Sequence, residues 1–340
     1  MKTRFIFHIL LMTAVVFLAS CVKEGPAGVA GVDGKDGVDG VDGSDGTVTC
    51  LACHSGTTIL AAQFEYASSV HKAGVNVAYA GGRASCAECH SSEGFIEYQT
   101  NGTVDSDISM PSAINCETCH TLHTTFTYTD FMLRSDDPVA LKINGNALDL
   151  GDASNLCVNC HQARTAEPNT AAPGETFRIT STHYGPHHGP QANILAGIGF
   201  AEIAGPLDYP VQGTSKHLEQ ASCTVCHMGD YTNKQGGHTW SPSLASCNSC
   251  HETASFDYGG VQFDTEEKLI VLRDLLIDKG VVAGDDVDGY HPVVATYPMV
   301  LAQAYYNWIG IEEDRSLGVH NPQYVNALLT NTIEAVKAVK

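Results

Sequence analysis

One spacing dominates this chain of 340 residues: Cys-x-x-Cys-His occurs six times and takes up twelve of the thirteen cysteines. The copies are Cys50–Cys53–His54, Cys86–Cys89–His90, Cys116–Cys119–His120, Cys157–Cys160–His161, Cys223–Cys226–His227 and Cys247–Cys250–His251. By chance, such a composition would yield on the order of 0.02 motifs. Two thiols three residues apart match the two vinyl groups on one porphyrin edge, and the adjoining histidine binds the iron. The pattern is therefore the attachment site of c-type haem, and the chain is expected to carry six covalently attached haems.

Three other uses of paired cysteines fit less well. A Cys₄ zinc site gives no reason for a histidine after every second cysteine. A disulfide framework would not hold all six spacings constant. A thioredoxin-like redox motif needs a single copy on a βαβ scaffold.

The second axial ligand of each iron must come from elsewhere. Beyond the first twenty residues only Met110, Met132, Met228 and Met299 are present, too few for six irons, and Met228 abuts His227. Nine histidines lie outside the motifs and that leading segment: His71, His123, His183, His187, His188, His217, His238, His291 and His320. Bis-histidine ligation throughout is the natural expectation, because methionine is scarce and histidine is in surplus. The candidate distal ligands are His71, His123, His183, His187, His217, His238 and His320. His71, His217 and His238 precede the next motif by 15, 6 and 9 residues in polar or glycine-bearing segments. His123 follows His120 by three residues, which on a helix turns it toward a neighbouring haem.

The N-terminus reads as an export signal. Residues 1–20 combine Lys2 and Arg4 with an apolar run from Phe5 to Leu18, too short for a confident spanning helix. The segment ends in Leu18-Ala19-Ser20-Cys21, which resembles the lipobox of bacterial lipoproteins, so Cys21 is the expected lipidation site. Val22, rather than aspartate, follows it and gives no inner-membrane retention signal. Glycine then recurs at every third position from Gly25 to Gly46, a collagen-like run within residues 21–48. The run reads either as a short trimerising triple helix or as a hydrated spacer. Only Pro26 pre-organises it, which favours the spacer. Its reach lies between about 27 Å as a flexible coil and about 74 Å fully extended.

Six motifs between Cys50 and His251 leave little room for an ordinary core. The expected fold class is mainly α with extensive coil and little sheet, a multihaem cytochrome c wrapped around a chain of six haems. Residues 49–262 form the hexahaem domain, and residues 263–340 form a helical segment that packs on it and supplies a distal histidine. Residues 57–72 read as one helix delivering His71. Asp264 is expected to cap a helix with the stripe Leu269, Leu272, Leu276 and a stop at Gly280. A second helix is expected from Pro298 to Trp308. A third starts with Asn321 as N-cap and Pro322 at N1, burying Val325, Leu328, Leu329 and Ile333. The acidic loop Asp285–Gly289 reads as a solvated turn rather than a calcium loop.

Two longer stretches carry a resemblance. His183-Tyr184-Gly185-Pro186-His187-His188-Gly189-Pro190-Gln191, preceded by His161-Gln162-Ala163-Arg164, looks like a segment of exported multihaem cytochromes c. The tail Gly318-Val319-His320-Asn321-Pro322-Gln323-Tyr324 is similar to the C-terminal helix start of larger multihaem cytochromes, including relatives of cytochrome c nitrite reductase. The resemblance implies that His320 ligates a haem. It departs from the nitrite reductases in lacking any Cys-x-x-Cys-Lys site.

Charge narrows the partners. The formal balance is −20, with 18 Lys and Arg against 38 Asp and Glu, which leaves no basic face for nucleic acid. The leading expectation is an electron carrier at the outer membrane or cell surface, with its periplasmic face as an alternative position. It would exchange electrons with basic partner cytochromes or positively charged mineral surfaces. It would attach to the membrane through its acyl anchor, and assembly into oligomers or filaments is a variant of the same reading. The other class is an oxidoreductase with one open haem reducing a small nitrogen or sulfur oxyanion, lined by Arg164, Tyr184 or a surplus histidine. The lipobox yields the first prediction. Cys21→Ser should leave haem loading intact and move the protein from the membrane fraction to the soluble fraction. A variant that stays membrane-bound would identify an uncleaved signal helix as the anchor.

Overall fold

In the computed structural model, described here for residues 54, 56–122, 132–151, 153–169 and 174–340, the chain is mainly helical with little sheet, as expected. Cys21, the glycine-repeat run, Cys50, Cys53 and His123 lie outside the described residues. The helices are α1 (Thr58–Ala67), α2 (Val70–Ala73), α3 (Ala84–His90), α4 (Ser92–Asn101), α5 (Cys116–Cys119), α6 (Ser154–Val158) and α7 (Gln191–Ala196). They continue with α8 (Lys216–Gln220), α9 (Cys223–His227), α10 (Leu244–Asn248), α11 (Val261–Asp278), α12 (Met299–Asp314) and α13 (Pro322–Ala338). The sheet content is three antiparallel pairs: β1 (Val139–Ala140) with β2 (Ala147–Leu148), β3 (Thr176–Arg178) with β6 (Thr296–Pro298), and β4 (Val282–Asp285) with β5 (Gly289–Pro292). In the β3–β6 pair Phe177 faces Tyr297, and in the hairpin Val282 faces Pro292.

The apolar core is concentrated at the C-terminal end. Leu269, Leu272 and Leu276 of α11, Tyr305, Tyr306, Trp308 and Ile311 of α12, and Val325, Leu328, Leu329 and Ile333 of α13 form one buried cluster. Each fully buried side chain of this size contributes roughly 1.5–3 kcal/mol. The Asn307 side chain beside it is fully satisfied, whereas the buried Tyr324 hydroxyl has no hydrogen-bond partner among the described residues. Asn307 donates to Ala201 O at 2.8 Å and Thr332 Oγ1 at 3.0 Å, and it accepts from Ala201 N at 2.9 Å. A smaller cluster, Leu141, Leu150, Val158, Ala192 and Leu195, lies beside the fourth motif. By contrast, Leu60, Phe64, Val70, Val75 and Tyr79, between the first and second motifs, are exposed. The long C-terminal helices therefore support themselves, whereas the motif-bearing half does not close a comparable core.

Several local expectations need correcting. Residues 57–72 do not form one helix. The helix ends at Ala67, and Ser69 starts a new one by accepting from Lys72 N at 3.0 Å, since serine hydroxyls compete for backbone groups. Asp264 lies within the first turn of α11 and does not cap it; Gly260 holds that place at φ +74°. The second helix continues beyond Trp308 to Asp314. Asn321 does cap α13, accepting from Tyr324 N at 3.3 Å, with Pro322 following. Asp285 accepts from Val287 N and Asp288 N at 2.8 and 2.9 Å, so the acidic loop is a self-capped hairpin turn. Leu272→Ala should cost about 2–5 kcal/mol of stability, because the residue is wholly buried between helices. Denaturant unfolding should show the loss, with the visible haem spectrum of the native state unchanged.

Candidate functional site

Each described attachment motif is a single helical turn. The amide of the motif histidine donates to the carbonyl of the first cysteine at 2.9 Å in the third and fourth motifs and 2.8 Å in the sixth. The second and fifth motifs occupy α3 and α9. The turn puts the two thiols, three residues apart, on one face. All ten described cysteines are free thiols. No group of three or more His, Cys, Asp or Glu gathers around a common ion position among the described residues.

The histidines are paired instead. His90 faces His187 with ring centres 6.1 Å apart, His161 faces His71 at 6.2 Å, His227 faces His320 at 6.3 Å, and His251 faces His217 at 6.1 Å. In each of these four pairs one ring belongs to a motif and the other does not; His183 and His291, at the same spacing, include no motif histidine. Metal–imidazole bonds of about 2.0–2.1 Å, each extended by roughly 1.1 Å to the ring centre, put two trans imidazoles about 6.2–6.4 Å apart. The pairs have the spacing that an iron held between them requires.

Hydrogen bonds orient these rings. His227 Nδ1 donates to Trp240 O at 2.8 Å, His217 Nδ1 to Val319 O at 2.6 Å, and His161 Nδ1 to Gln191 Oε1 at 3.2 Å. His320 Nδ1 lies 2.7 Å from Asp314 Oδ1. A proton on Nδ1 leaves the Nε2 lone pair for a metal. His187 presents the complementary observation: its Nε2 is buried with no hydrogen-bond partner. This orphaned nitrogen, the spacing of the rings and the unbridged thiols together fit haem at these motifs.

The local sequence explains how the distal rings are aimed. His187 has φ +71°, a costly backbone conformation outside glycine, held between Gly185-Pro186 and Gly189-Pro190. Next to it, His188 Nδ1 pairs with Glu313 Oε1 at 2.7 Å, so the two adjacent histidines are separated into different roles. His71 packs against Trp240 with ring centres 4.7 Å apart, and Trp240 itself adopts φ +53°. Burial, with the positive Arg164 nearby, pushes His187 down to about 4; burial and the neighbouring His161 do the same to His71. Burial lowers His90 and His227 as well. His320 moves the other way: burial disfavours its charge, but the Asp314 carboxylate outweighs that and raises it.

The remaining candidates are placed differently. His238 lies in a short 3₁₀ turn against α1, the helix after the first motif; its amide donates to Glu65 Oε2 at 2.9 Å, and its ring centre is 5.6 Å from Trp240. His183 faces His291 at 6.2 Å on the surface. His123 lies outside the described residues. His54 is exposed. Tyr184, a candidate for an open site, instead joins the aromatic core against Phe177 and Tyr305. Proximity in sequence misleads for two candidate ligands. His71 does not pair with the motif that follows it but with the fourth, and His217 pairs with the sixth rather than the fifth. Trp240, Gln191 and Asp314 carry no motif signal, although Gln191 closes the His183–Gln191 stretch.

Motifs also meet one another. The Cys89 thiol lies 3.7 Å from Asn159 O, and the Cys160 thiol lies 3.9 Å from Glu88 O. Thr224 N, in the fifth motif, donates at 3.1 Å to Ser154 Oγ, at the start of the helix that carries Cys157. The fourth motif thus touches both the second and the fifth.

No family model matches the chain, and no curated protein matches it. Among solved structures it is similar to the crystal structure of the outer cell wall cytochrome OcwA, with a TM-score of 0.51 and 19% identity. The alignment covers 80% of this chain and 49% of that one, so this chain spans about half the length of its structural neighbour. At this identity the likeness is one of fold: the chain has a cytochrome-like fold.

The pairings make a direct prediction for the haem-loaded protein. His320→Ala should turn one haem high-spin and open it to carbon monoxide, whereas His183→Ala should leave all spectra unchanged. Electron paramagnetic resonance and carbon monoxide difference spectra distinguish the two.

Proposed function

We propose that this chain is a membrane-anchored hexahaem c-type cytochrome that passes electrons between periplasmic or extracellular redox partners. The observation that carries the reading is the four motif histidines each facing a second imidazole at 6.1–6.3 Å. When bound, haem supplies the reversible one-electron couple of its iron. The protein's own groups would do the rest: the paired imidazoles would hold the iron at four motifs, and hydrogen bonds at Nδ1 orient His161, His217, His227 and His320. Two imidazoles at one iron would leave no coordination site for substrate, which favours electron transfer over oxyanion reduction at those four motifs.

Several further features support the reading. The contacts of the fourth motif with the second and fifth bring attachment edges together, and short edge separations favour electron passage along that row. Apolar side chains left open near the first two motifs match surface that porphyrin faces would cover. Acyl attachment at Cys21 and the glycine-repeat spacer would hold the domain away from the bilayer. The acidic surface suits basic cytochromes or positively charged minerals as partners.

The test is the purified, exported protein produced with haem maturation machinery. Its mass should show six haem increments, its irons should be low-spin, and nitrite should leave its spectrum unchanged. Fewer than five haems would overturn the count. A high-spin signal that responds to nitrite would replace the carrier reading with the oxidoreductase.

A further inference from the structure

The Nδ1 partners of the ligand pairs are not chemically alike. His227 and His217 donate to backbone carbonyls, and His161 donates to a side-chain amide. Within the four pairs His320 alone meets a carboxylate, Asp314, at 2.7 Å; outside them the candidate His238 has its Nδ1 3.5 Å from Glu65 Oε2. The Asp314 side chain is wholly buried, and no Lys or Arg pairs with it among the described residues. Its other oxygen accepts from the Ser316 hydroxyl and from Ser316 N. The Ser316 hydroxyl also accepts from His320 N at 3.2 Å, so a tight turn after α12 holds carboxylate and imidazole in register.

We propose that Asp314 is a positioning residue that tunes the fifth motif's haem through His320, lowering its reduction potential relative to sites whose ligands donate to neutral acceptors. The inference rests on the reading of His227 and His320 as an axial pair. A carboxylate acceptor draws the Nδ1 proton toward itself and leaves more electron density on Nε2. The more basic nitrogen stabilises ferric over ferrous iron, so the one-electron reduction occurs at a more negative potential. Burial strengthens the effect, because little solvent screens the charge. The same turn reaches two other pairs: Gln191, the partner of His161, donates to Asp314 O at 3.2 Å, and His217 donates to Val319 O. Those contacts are neutral, so the effect transmitted through a hydrogen bond is largest at the fifth site.

The experiment is a spectroelectrochemical titration of the haem-loaded protein, with the relevant component identified as the one lost from the low-spin set in His320→Ala. Asp314→Asn should shift that component to more positive potential, and by more than any other component. Ser316→Ala, which removes a donor that draws charge from the carboxylate, should shift it to more negative potential. Opposite signs would separate electronic tuning from a merely structural role. An unmoved component in both variants, with low-spin ligation retained, would overturn the inference. If Asp314→Asn does not fold, Ser316→Ala alone decides: a negative shift supports the inference and no shift overturns it. If His320→Ala changes no haem, the ligand pairing beneath the inference is overturned instead.

Discussion

The structure turns on one recurring contact: four times the imidazole of an attachment motif faces a second imidazole across 6.1–6.3 Å. One ring of each pair is local to its attachment turn, where the helix sets its position relative to two thiols. The other arrives from a distant part of the chain, so each pair is a long-range tie. His71 to His161 and His227 to His320 each span about ninety residues. Ties of this kind organise a half of the protein that has little apolar core of its own.

The C-terminal helices supply what the motif region lacks. Their packed aromatic and aliphatic cluster fixes the end of α12 and the start of α13, and the turn between them carries Asp314, Val319 and His320. A rigid platform is what ligand orientation needs, since a ring displaced by an ångström loses its bond to the metal. Tyr306 shows how platform and motif region are joined: its hydroxyl donates to Thr165 O at 2.5 Å, four residues beyond His161. The strained backbone at His187 and Trp240 belongs to the same design, because both residues sit where a ring must be aimed rather than where packing is easiest.

Much of this was legible in the residues. The attachment turns follow from Cys-x-x-Cys-His, because a three-residue separation places both thiols on one helical face. The α13 start is readable from Asn321-Pro322, and the α11 stripe from Leu269, Leu272 and Leu276, each local signals of cap or period. Less legible were the starts of α11 and α2, where a permissive glycine and a competing serine decided the boundary. Tyr184 has the chemistry of an open-site residue, but its hydroxyl is buried in an aromatic cluster that sequence spacing does not reveal.

The sequence by itself determined the cofactor chemistry, the number of attachment motifs, the scarcity of methionine and the surplus of histidine, because these are matters of residue type and short spacing. Only the tertiary structure decided which distal imidazole meets which motif, and which Nδ1 finds a carboxylate. Those outcomes depend on segments far apart in the chain reaching opposite sides of one iron position. His217 lies six residues before the fifth motif yet faces the sixth, because position in space, not in sequence, chooses the partner.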